Sequence, residues 1–77
     1  MEAPKELIEL FEEFDSDILT VSDCDIIHHG TRIDCIALVD GNVQFWAGDP
    51  ECDKYAEELV VDQSCAWEYI EQIINEL

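Results

Sequence analysis

The chain has 77 residues, with 20 Asp and Glu against three Lys and Arg, for a formal net charge of −17. That length makes one domain whose small core buries only about 60–65% of the unfolded surface, while a hydrophobic content of 48% offsets enough chain entropy to exclude disorder. The charge excludes direct nucleic-acid binding, since phosphates would meet carboxylates, and opposes docking on anionic membranes.

Residues 4–14 read as an amphipathic helix. Pro4 suits the first turn, and Leu7, Ile8, Leu10, Phe11 and Phe14 fall on one side. Glu6, Glu9 and Glu13 form the opposite stripe, with Glu2 just before it. Asp15-Ser16-Asp17 should end the helix, because these side chains compete for backbone groups.

Residues 18–49 predict a three-stranded antiparallel meander over 18–28, 32–39 and 42–47. Asp40-Gly41-Asn42 is a strong hairpin signal, since Gly and Asn tolerate positive φ. Either choice of loop pair leaves Ile36, Leu38, Val43 and Phe45 on one face, taken as the core side together with Leu7, Phe11, Leu59 and Ile70. Ile33, Cys35, Ala37, Val39, Gln44 and Trp46 fall on the other face. A three-residue loop at His29-Gly30-Thr31 puts Cys24 and Ile26 inside and Asp23 and Asp25 outside; a two-residue loop would bury the acids.

Residues 50–77 predict one or two helices packed on one sheet face. Asp49-Pro50-Glu51 is a good helix start, and Cys52, Tyr55, Ala56, Leu59 and Val60 recur at helical spacing. Asp62-Gln63-Ser64 marks a break before a last helix with Trp67, Ile70, Ile73, Ile74 and Leu77 inward; one long bent helix is the alternative. Tyr55 and Tyr69 are expected at the core edge with hydroxyls outward. The fold class is α+β, one acidic domain over residues 1–77.

Residues 1–15 carry acids where a secretory signal has bases, and the central apolar run Ile36–Val39 is far short of the ~20 residues of a membrane span. A cytoplasmic protein is expected, with Cys24, Cys35, Cys52 and Cys65 as free thiols. Cys24 and His28 on one strand would stand about 13 Å apart at ~3.3 Å per residue, too far for a shared zinc. No Gly-rich phosphate loop, EF-hand or nucleophile elbow occurs, so no catalytic residue, metal or cofactor is expected.

What needs explaining is the near absence of lysine, since an ordinary solvated face mixes signs. Glu2, Glu6, Glu9 and Glu13 read as a helical ladder rising about 5–6 Å per step at 1.5 Å per residue, comparable in density with phosphates at about 3.4 Å along one strand. Asp23, Asp25 and Asp34 read as a second acidic group on the strands, and Trp46 as an aromatic anchor if its sheet face stays uncovered.

In size, charge and element order the chain resembles small acidic phage-encoded proteins that mimic nucleic acid, among them anti-CRISPR proteins. That resemblance implies a catalytically inert inhibitor, a monomer or homodimer, that blocks a basic nucleic-acid-binding protein such as a CRISPR effector. An immunity protein neutralising a nuclease toxin has the same physics, and a halophile-adapted protein of unrelated function shares the acidity.

Overall fold

The computed structural model describes residues 1–77. It is α+β, with helices α1 (Lys5–Glu13) and α2 (Gln63–Glu76) and strands β1 (Ile18–Thr20), β2 (Ile27–His28), β3 (Thr31–Arg32), β4 (Cys35–Val39), β5 (Asn42–Ala47) and β6 (Glu57–Leu59). In place of the expected three-stranded meander, β1-β4-β5-β6 form a four-stranded antiparallel sheet, and β2-β3 form a separate two-stranded one.

Helix α1 buries Leu7 and Phe11, four residues apart on one face. It stops at the expected tripeptide by a different device. Asp15 adopts a left-handed φ of 50°, Asp15 N–H donates to Glu12 C=O and Ser16 N–H to Phe11 C=O. This is the Schellman pattern, with Asp where Gly is usual. The freed Ser16 hydroxyl then takes both outward backbone groups of Ile18. It accepts from the amide at 3.1 Å and donates to the carbonyl at 2.8 Å.

The expected strand over 18–28 is broken. Ser22–Cys24 form a 3-10 turn, closed by Asp25 at φ 54°, a conformation Asp tolerates better than most residues. Arg32 donates to the Ser22 carbonyl and Gln72 to the Cys24 carbonyl, which fixes the turn. The β2–β3 register pairs His28 with Thr31, so the loop is His29-Gly30 rather than three residues. Three loop residues would be needed only if the strand ran unbroken from Ile18 to His28. The turn resets which way side chains face, so Cys24 and Ile26 are buried and Asp23 and Asp25 exposed all the same.

A second break in parity lies at Asp34. Its N–H donates to Trp46 C=O while Cys35 stands opposite Trp46 in the register, so two residues face one in a β-bulge. The bulge carries Ile33, expected on the outer face, into the core at 0% exposure. Asp34 Oδ2 accepts from Gly48 N–H at 2.8 Å and holds the bulge to the end of β5.

Residues 50–61 are not helical. A turn begins when Cys52 and Asp53 N–H donate to Asp49 C=O, but Asp49 Oδ1 captures Glu51 N–H and Asp53 Oδ1 captures Tyr55 N–H, each at 2.9 Å. These side-chain turns replace helical bonds, and the chain emerges extended as β6 on the edge of β5. Hence Tyr55, expected at the core edge, and Val60, expected on the helix's apolar side, are 78% and 92% exposed. Only the last predicted helix forms.

The register aligns Leu19, Ile36, Phe45 and Leu59 across the sheet. With Val43 they meet Leu7 and Phe11 of α1 and Ala66, Ile70 and Ile73 of α2 in one core. Both helices therefore cover the inner face. All eight expected core residues are in that cluster or packed against it. Trp67, expected inward, is 45% exposed, because Ala66, Ile70 and Ile73 hold the buried stripe of α2. Asp40-Gly41 form the β4–β5 loop at φ 50° and 80°, the positive pair of a type I′ turn.

Candidate functional site

The exposed carboxylates fall into three regions. Glu6, Glu9 and Glu13 are exposed on α1, as is Glu12. Glu2 does not continue their ladder. It pairs with Asn42 as an extended residue, flanked by bonds between Ala3 and Gly41 and between Val43 and Met1. On α2, Glu68, Glu71 and Glu76 are exposed. Glu6 and Glu71 line one shallow depression between the helices with Trp67 and Ile74, and Lys5 is the only base on either helix.

The second expected group occupies two local settings. Asp23 and Asp25 lie on the 3-10 turn, which Gln72 ties to α2. Asp34 is half-buried at the bulge, with one oxygen held by Gly48. The sequence reading has all three on strands; in the structure two lie on the turn and one at the bulge.

The third region is the outer face of the sheet, which neither helix covers. The register puts Thr20, Cys35, Trp46 and Glu58 in one row and Ile18, Ala37 and Gln44 in the next. The segment after β5 brings Asp49 and Cys52 close to Cys35, which is buried. Beyond it, Ile18, Ala37, Val39, Trp46 and Pro50 line an open hollow, with Asp17 and Asp40 at its margin. Trp46 is half-buried, and its Nε1 donates to Gln44 Oε1 at 3.2 Å, which fixes the indole. Of this region the sequence singled out Trp46 alone. Glu58 becomes its neighbour only through β6.

Thiols and rings have other tasks. Burial pushes the Cys24 and Cys35 thiols up, and the Asp49 carboxylate pushes exposed Cys52 up. Each is a poorer nucleophile than a free thiol at neutral pH. Buried His28 meets the Tyr69 hydroxyl through Nδ1 at 2.9 Å, and that hydroxyl donates to Ile27 C=O. The Tyr69 hydroxyl thus faces the β2–β3 hairpin rather than outward. No set of three or more His, Cys, Asp or Glu side chains is placed to hold a metal ion. No helix is long and apolar enough to cross a membrane.

Comparison of the chain with family models, curated proteins and solved structures gave no match. A body of 28 × 27 × 23 Å carries −17, so each acid has like charges within a Debye length of about 8–10 Å. The resulting field draws in cationic surfaces and repels anionic ones.

Proposed function

We propose that this protein is a non-catalytic inhibitor that occupies the Lys/Arg-lined nucleic-acid site of a basic protein, in its most specific form an anti-CRISPR protein acting on a CRISPR effector complex. The observation that carries the reading is the exposure of Glu6, Glu9 and Glu13 on α1 and of Glu68 and Glu71 on α2, with Glu6 and Glu71 lining one depression between the helices and Lys5 as the only base on either. Along α1 the carboxylates step by about 4.5–6 Å at 1.5 Å per residue, against about 3.4 Å for phosphates on one strand. A basic channel that binds a polyanion meets a comparable line of charge. Such complexes associate fast and weaken as salt rises.

The test is competition with target DNA for a panel of CRISPR effector complexes. Glu6, Glu9 and Glu13 are replaced together by Gln, which keeps side-chain shape and helix propensity. Asp23 and Asp25 are replaced together by Asn. The helix variant is expected to bind at least about tenfold more weakly, with slower association and a flatter salt dependence. The turn variant should change the association rate mildly. Inhibition that persists unchanged in both variants, or that ignores salt between low and physiological strength, refutes the proposal.

A further inference from the structure

Trp46 and Glu58 face each other across β5 and β6 on the uncovered side of the sheet. Val43 donates outward to Met1, so strand alternation gives Phe45 and Ala47 the hydrogen bonds to β6. Trp46 and Glu58 are then the close, non-hydrogen-bonded pair, whose side chains approach most nearly. Gln44 holds the indole by its Nε1, and the hollow beside the ring is open. An aromatic ring thus stands between a carboxylate on the adjacent strand and an open apolar hollow, on the part of the outer face that neither helix covers.

We propose that this face is the docking site for an arginine side chain of the basic partner, with its guanidinium stacked on Trp46 and paired with Glu58. The proposal rests on the reading above and adds to the helix carboxylates a second contact on the outer face of the sheet. Charge selects the occupant. A second copy would bring −17 to −17, a total of −34, onto a face already edged by Asp17 and Asp40. An uncharged apolar partner would leave those carboxylates without a counter-charge. A cation fits, and its planar form fits best. Guanidinium is less strongly hydrated than ammonium, stacks on indole and bonds a carboxylate through two parallel N–H groups.

The experiment is an amide and indole proton–nitrogen NMR titration of the whole chain with acetyl-Gly-Arg-Gly-amide and, separately, acetyl-Gly-Lys-Gly-amide. A Trp67→Phe variant assigns the two indole signals. The arginine peptide should move the Trp46 indole and the amides of Gln44 and Glu58, with the Trp67 indole still. Its half-saturation should fall about two- to fivefold below that of the lysine peptide, the worth of an exposed cation–π contact of about 0.5–1 kcal/mol. Glu58→Gln, an exposed change, should weaken the arginine peptide by a similar factor. Trp46→Leu should abolish the localised shifts, with circular dichroism reporting whether it folds and Glu58→Gln serving alone if it does not. Equal responses to both peptides, or shifts centred on Trp67 and the helices, overturn the proposal. In the latter case the inhibitor reading stands without this site. If Trp46 takes the arginine while helix, Trp46 and Glu58 variants all compete with nucleic acid like the parent, the inhibitor reading falls and the arginine site remains.

Discussion

Replacing Gly48 by Ala tests how the segment after β5 is seated on the outer sheet face. Gly48 and Gly41 have nearly the same backbone, at φ 81° and 80°, so alanine meets the same left-handed strain of about 1–2 kcal/mol at either position. Their surroundings differ. A Cβ on Gly41 meets nothing within 4 Å, whereas one on Gly48 lies 2.9 Å from Asp53 Oδ2 and 3.3 Å from the Ala56 backbone. Asp53 cannot swing away freely, because its Oδ1 accepts the Tyr55 N–H. Ala56 cannot withdraw without displacing β6, which begins one residue later. Overpacking of this kind costs about 1–3 kcal/mol. Gly41→Ala should thus lose about 1–2 kcal/mol and Gly48→Ala about 2–5 kcal/mol. A domain of this size holds roughly 4–12 kcal/mol in total at 0.05–0.15 kcal/mol per residue. Urea unfolding followed by circular dichroism measures both variants. Reaction of native Cys35 with a thiol reagent gives a second readout, which should quicken in Gly48→Ala alone. Equal destabilisation of the two variants would refute the seating of residues 48–56 described above.

Two further outcomes follow from the core and its thiols. Phe45, 3% exposed and edge-to-face with Tyr69 at 6.1 Å, should cost about 3–5 kcal/mol when cut to Ala, and a Phe45→Ala chain that unfolds at the parent's urea midpoint would remove Phe45 from the core. Burial pushes Cys24 and Cys35 up, so the folded chain holds these protons more tightly than the unfolded one. The stability they contribute is complete below about pH 9 and declines as pH rises through the raised values; a melting temperature that stays level from pH 8 to 11 would contradict this.

Local chemistry was the legible part of the fold. The apolar spacing of Leu7 and Phe11, the Asp40-Gly41 turn and the alternation of Ile36, Leu38, Val43 and Phe45 each act over a few residues, and the structure keeps all of them. What the sequence concealed depends on partners far along the chain. Cys52, Tyr55, Ala56 and Leu59 have helical spacing, yet Asp49 and Asp53 capture the amides that a helix would need, and the free edge of β5 accepts Glu57–Leu59. The bulge at Asp34 likewise depends on Trp46 and Gly48. Both errors reached the candidate site. The bulge leaves Asp34 half-buried and tied to Gly48, unlike the exposed Asp23 and Asp25 of the turn, and a helical reading of 50–61 hid Glu58 from Trp46.

The Ser16 hydroxyl on Ile18 settles what happens at the sheet's β1 border. Ile18 and Thr20 are the two residues of β1 turned away from β4, since Asp17 and Val21 bond with Leu38 and Asp34 across the ladder. With both Ile18 groups already engaged, an incoming strand finds Thr20 as its single point of attachment in β1. The opposite border is Glu57–Leu59, two of whose three side chains are carboxylates. Templated growth of one molecule upon the next needs a run of free backbone groups on a tolerant edge. One border of this sheet is closed by a hydroxyl and the other is defended by charge, so fibril seeding is opposed at both ends even when the protein is concentrated.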